Sequence, residues 1–220
     1  MIQLTRTGLK FRGNEDDVRR LHEQFQRDHF LVLSRLIDPE LLEQIMERVD
    51  AASFPDYGDD GITSQVMMDD PLTFGLLEFL VNIPAFQRLI ERITGCPRIG
   101  NFRGRVYRML PSNRHRIKWH DDVVDHRLIA FSLNLGRKEF KGGALQIRRY
   151  GSETLLQEVR NTAPGGAVVF RISDELEHRV LEVEGDTPRT AMAGWFRWAE
   201  QDFHTATRKA AAELGTIRPA

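Results

Sequence analysis

The residues best equipped for chemistry are His120 and Asp122, joined by two much later positions, His178 and Arg189. His120 and Asp122 stand at i and i+2. Alternate side chains of a strand share a face, so the spacing predicts an imidazole and a carboxylate pointing the same way. A third donor from His178 would complete two histidines and one carboxylate on one side of a metal, leaving positions open opposite. That donor set suits non-haem Fe(II) and oxygen chemistry. Arg189 then offers a planar fork of N–H donors, matched to a small carboxylate docked beside the metal.

Positioning these side chains needs a β framework, and the second half of the chain reads as one. After Cys96-Pro97, short β-rich runs at 104–110, 127–135, 144–147, 167–170 and 190–198 are punctuated by glycine and proline. Such spacing predicts a sandwich or jelly roll. The first half reads differently. Asn14-Glu15-Asp16-Asp17 is a helix start, Phe30-Leu31-Val32-Leu33 a short strand, and Asp38-Pro39-Glu40 a second helix start. Asp70-Pro71 and Ile83-Pro84 open further helices, the second closing at Gly95. Between them, 51–70 is rich in Pro, Gly, Asp and Ser and predicts a long loop of the kind that serves as a lid or binding loop. The fold expected is mainly β with flanking helices (α+β). One domain spans 1–220: helical support over 1–96, a β core over 97–200 and a closing helix over 201–214.

Composition narrows the setting. Of 220 residues, 41% are hydrophobic and 29% charged, ordinary for one soluble globular domain. A net charge of −1 makes no case for nucleic acid or an anionic membrane. Cys96 has no partner for an internal disulfide, which with the absence of a signal-like or spanning apolar run gives a cytoplasmic expectation.

The segment from Arg105 to Arg197 resembles the Fe(II)- and 2-oxoglutarate-dependent dioxygenases, in particular the prolyl-hydroxylase-like group. The matching pieces are Trp119-His120-Asp121-Asp122, Ser132-Leu133-Asn134-Leu135, Gly142-Gly143-Ala144-Leu145-Gln146-Ile147, Gly165-Gly166-Ala167-Val168-Val169-Phe170, Glu177-His178-Arg179-Val180 and Pro188-Arg189-Thr190-Ala191. Phe30 to Leu41 is loosely similar to the opening of phytanoyl-CoA-dioxygenase-like members. The resemblance implies a double-stranded β-helix, the cupin-like jelly roll, buttressed by N-terminal helices. It implies that His120, Asp122 and His178 hold Fe(II) and that Arg189 pairs with the distal carboxylate of 2-oxoglutarate. O2 is the second cosubstrate, with succinate and CO2 released as a C–H bond is hydroxylated. Family tyrosines are replaced at Leu110 and Ser132, leaving Ser132 and the nearby Tyr107 as candidate cosubstrate contacts. Tyr107 is expected on the strand face opposite to position 110. Asp122 fills the position that related halogenases leave without a carboxylate, which favours hydroxylation.

The substrate expected is a peptide side chain or a small metabolite. Seven basic residues and no acid lie within 97–118. Of these, Arg103 and Arg105 are candidates for selecting an anionic substrate. His115 and His126 flank the motif as competing ligands, and Asp121 and Asp125 as acids that could orient an imidazole. Two other readings remain at this level: a cupin-like metal hydrolase or isomerase, and a metal-binding module without turnover on the same fold.

Overall fold

The computed structural model describes residues 1–59, 61–124 and 126–198. The chain opens with a hairpin, β1 (Ile2–Thr5) and β2 (Gly8–Phe11), followed by α1 (Glu15–Asp28), β3 (Phe30–Leu33) and α2 (Pro39–Ala51). A second hairpin, β4 (Asp56–Asp59) and β5 (Ser64–Met67), leads to α3 (Pro71–Val81) and α4 (Pro84–Thr94). The β half comprises β6 (Asn101–Met109), β7 (Ile117–His120), β8 (Arg127–Asn134), β9 (Lys141–Gly142) and β10 (Leu145–Arg149). It continues with β11 (Leu155–Val159), β12 (Ala167–Arg171), β13 (Leu176–Val180), β14 (Val183–Glu184) and β15 (Arg189–Arg197).

The helices begin where the sequence places caps. Asn14 and Asp17 form a reciprocal capping box at α1, and the Asp38 and Asp70 carboxylates accept from the first-turn amides of α2 and α3. Gly95 ends α4 in the left-handed conformation, as a C-terminal glycine does.

Two sheets face one another. The major sheet runs β3-β12-β8-β15-β6-β5-β4 and the minor sheet β11-β10-β13-β7, every pairing antiparallel. This is the expected jelly roll. One apolar cluster joins α1, α2, α3 and α4 to the outer face of the major sheet through Phe86, Phe102, Phe131 and Phe196. A smaller one, with Met109, Phe140, Ile147 and Phe170, lies between the sheets. The helices therefore stiffen the major sheet from behind, and the gap between the sheets is left for a site.

Two expectations need adjustment. The segment 51–70 is no structureless loop: β5 pairs with β6 at Val66↔Arg108 and Met67↔Tyr107, extending the major sheet. Its turn also reaches the minor sheet, where the Lys118 amide donates to the Ile62 carbonyl at 2.9 Å. Period-two patterning is weak in four-residue strands interrupted by Gly and Asp, which hid this hairpin. The helix expected over 201–214 lies outside the described residues. No helix among the described residues is long and apolar enough to cross a membrane.

Candidate metal centre

A cavity of about 470 Å³ opens between the sheets, and His120, Asp122, His178 and Arg189 all line it. His178 sits on β13 directly opposite His120 on β7, so sheet register alone sets the two imidazoles side by side, with ring centroids 4.2 Å apart. Asp122 arrives by another route than strand alternation. β7 ends at His120, and Asp122 takes a left-handed backbone with φ 63° that turns its carboxylate back toward the rings. Its Oδ1 lies 3.6 Å from His120 Nε2 and its Oδ2 3.3 Å from His178 Nε2. One donor atom from each of the three residues falls within 4.8 Å of the others, a set that could hold a metal ion.

The protonation pattern suits that use. His120 Nδ1 is 2.8 Å from the Lys118 carbonyl, which can only accept, so Nδ1 carries the proton and Nε2 presents its lone pair to the cavity. Burial lowers the His178 pKa and favours the neutral ring. For Asp122 burial opposes ionisation, but the hydrogen bond from His178 and then that from the Trp195 N–H prevail and hold the carboxyl below its usual range. Both oxygens are also tethered: Trp195 Nε1 donates to Oδ2 at 2.8 Å and Arg127 Nη1 to Oδ1 at 2.9 Å. The Arg127 guanidinium stacks 3.6 Å above the Trp195 ring, making one unit of the pair.

Arg189 projects from the first residue of β15. Its Nη2 donates to Ser132 Oγ at 3.1 Å and its Nη1 approaches Met109 Sδ at 3.6 Å. No carboxylate pairs with it among the described residues, and burial lowers its pKa to about 10. A cation in that position is stabilised by an incoming anion. Gly143 is packed against it: a Cβ there would stand 3.1 Å from Arg189 Cδ, at a left-handed φ of 63°.

Of the other candidates, Tyr107 lines the cavity and meets Tyr57 edge-on with centroids 6.0 Å apart. Position 110 falls beyond the end of β6, so strand parity does not relate the two residues. Arg103 and Arg105 lie outside the cavity lining. Arg103 pairs with Glu78 of α3 at 3.4 Å and Arg105 stacks over Phe74 at 4.7 Å. The cations that do line the cavity are Arg127, Arg160 and Arg189. His115 is buried and accepts from the Leu110 amide, while His126 packs on Trp198, so neither joins the triad. Asp121 caps its own turn by accepting from the Val123 amide. Asp125 lies outside the described residues. Burial raises the Cys96 thiol pKa, which disfavours a reactive thiolate.

Residues 104–197 match the model of the 2OG-Fe(II) oxygenase superfamily. Over this segment the chain is similar to the 2OG-Fe(II) oxygenases. Its activity is that of a 2-oxoglutarate-dependent dioxygenase, with Fe(II), 2-oxoglutarate and O2 as cofactor and cosubstrates. Solved structures similar to the chain share the fold at low identity. A Pseudomonas putida prolyl-4-hydroxylase is 18% identical with a TM-score of 0.61, covering 83% of this chain and 99% of that one. A 2OG-Fe(II) oxygenase family oxidoreductase from Burkholderia pseudomallei is 19% identical with a TM-score of 0.60, over 92% and 98%. A prolyl hydroxylase from Trichoplax adhaerens, in complex with a hypoxia inducible factor oxygen degradation domain peptide fragment, is 16% identical with a TM-score of 0.58, over 90% and 93%. No curated protein matches the chain. Arg127 and Trp195 are the neighbours of Asp122 that sequence reasoning missed. A signal for Trp195 existed: it lies at an even offset from Arg189 on one strand, so the two share a face.

Proposed function

We propose that His120 Nε2, the Asp122 carboxylate and His178 Nε2 hold the Fe(II), and that Arg189 with Ser132 binds the distal carboxylate of 2-oxoglutarate. The observation that carries this reading is the convergence of three metal donors beside a half-buried guanidinium that has no acidic partner among the described residues. Bound there, Fe(II) with 2-oxoglutarate and O2 supplies C–H hydroxylation, releasing succinate and CO2. The chain itself supplies position and dryness. Arg127 and Trp195 fix the Asp122 carboxylate so that it need not reorganise when metal arrives. Phe140, Leu145, Val159, Val168 and Phe170 form an apolar wall that keeps water from the reacting atoms.

The substrate is a peptide side chain or small metabolite entering past Tyr57, Ile62 and Val124, which line the opening of the cavity and are exposed. Arg160 is the exposed cation of the lining, so an anionic substrate would meet it there, whereas Arg103 and Arg105 are engaged with α3. Anaerobic addition of Fe(II) and then 2-oxoglutarate tests the assignment: a weak visible charge-transfer band is expected. Folded, iron-loaded protein that gives no band would remove the cosubstrate reading. A band without succinate formation under air, across peptide and metabolite substrates, would leave a metal-binding module without turnover.

A further inference from the structure

The strand that carries His120 is irregular. β13 steps from Val180 to His178 while β7 steps from Ile117 to His120, so β7 holds one residue more than its partner between the same two pairings. This is a β-bulge, the device by which a strand re-aims a side chain beside a site. Without it Ile117 and His120, at an odd separation, would face opposite sides of the sheet; with it both line the cavity. The hydrogen bond from His120 Nδ1 to the Lys118 carbonyl is made inside the bulge.

What holds the extra residue lies on the other face of the minor sheet. Two guanidiniums pack on the Trp119 ring, Arg148 with its Cζ 4.0 Å and Arg179 4.6 Å from the ring centroid. Each is itself pinned: Arg148 Nε donates to Glu177 Oε1 at 2.8 Å, and Arg179 Nε to Gln146 Oε1 at 2.8 Å. Gln146 in turn donates to Glu158 at 2.6 Å, and Glu177 also accepts from the Gly151 amide. The network therefore runs from β11 through β10 and β13 to a single aromatic ring next to a metal-donor histidine. A surface tryptophan with no task would need no such lattice; the buried Gln146 and Glu177 make it a built feature.

We infer that Trp119, gripped by Arg148 and Arg179, is a positioning residue that locks the β7 bulge and so presents His120 Nε2 to the metal. The inference rests on the metal reading of the triad, and the experiment separates the two. Anaerobic Co(II) titrations, followed by the cobalt absorption and needing no turnover, are run on the whole chain. Wild type is expected to bind and Asp122→Ala to lose binding; wild type without binding would overturn the metal reading itself. With that established, Trp119→Leu is expected to weaken Co(II) at least about tenfold, Trp119→Phe to stay within about threefold, and Arg148→Met to fall between them. Val49→Ala, a cut in the helix layer remote from the site, controls for general loosening. Folded Trp119→Leu that binds Co(II) within about twofold of wild type would overturn the inference. So would a Val49→Ala protein of equal melting temperature that loses as much cobalt affinity.

Discussion

Asp122 shows how far one residue can be read from its letter and where the reading stops. Its type and its distance from His120 are in the sequence, but the left-handed turn that brings it to the rings is not, because strand parity would have delivered the same convergence for another reason. Replacing Asp122 with Ala removes the anionic donor and leaves Trp195 Nε1 and Arg127 without their acceptor. Metal affinity is expected to fall by more than about 100-fold, beyond what loss of an outer partner costs, and succinate formation should vanish. Succinate persisting above background would mean that another carboxylate is the ligand. Arg189→Met tests the other half of the site. Losing a charge-assisted contact worth about 1.5–3 kcal/mol predicts a KM for 2-oxoglutarate raised about 10–100-fold, with Co(II) affinity unchanged. Equal loss of both affinities would show that Arg189 supports the fold of the pocket and does not recognise the carboxylate. Neither Arg127 nor its pairing was legible, since a residue five positions past Asp122 meets it only through the turn between them.

At the scale of elements, the helices were legible because their ends are written in side-chain chemistry. Asp70 is the plainest case: its carboxylate accepts from the Leu72 and Thr73 amides and from the Thr73 hydroxyl at 3.0, 3.1 and 2.6 Å. Asp70→Ala should cost about 1 kcal/mol at neutral pH, a fall of about 2–4 °C in melting temperature. The Thr73 hydroxyl and then its amide hold the folded carboxyl below the ordinary value. The capping stabilisation is therefore fully present above the unfolded pKa of about 3.9 and is lost as pH falls through the folded one. The gap between wild type and variant should close in acid; a gap that stayed constant to pH ~2 would mean the cap does not depend on the charge. The short strands were harder. β7, β11 and the β4–β5 hairpin carry four or five residues each, too few for periodicity to declare itself, and the β7 bulge breaks the pattern where it matters most.

For the whole molecule, the division of labour between the two apolar clusters makes a prediction that neither cluster makes alone. Phe86 of α4 is fully buried and meets Phe131 of β8 and Phe196 of β15 edge-on at 6.4 and 6.1 Å, tying the helix layer to the back of the major sheet. It reaches the cavity lining through that sheet, by way of Phe131. Phe86→Ala should cost about 3–5 kcal/mol, lowering the melting temperature by about 6–20 °C. Ligands that bind only the folded chain act on the same equilibrium from the other side of the sheet. Co(II) at about 100 times its dissociation constant adds about 2.7 kcal/mol, a rise of about 5–10 °C. If the helices are support and the gap between the sheets is the site, the two effects are independent: Phe86→Ala should melt early yet show the full cobalt response, and Asp122→Ala should show almost none. Scanning calorimetry with and without Co(II) and a chelator reads both. A Phe86→Ala protein that stayed folded but lost the response would make the helix layer part of the site's geometry, because a major sheet released from its backing would then have shifted Trp195 and Arg127, the two donors that hold the Asp122 carboxylate.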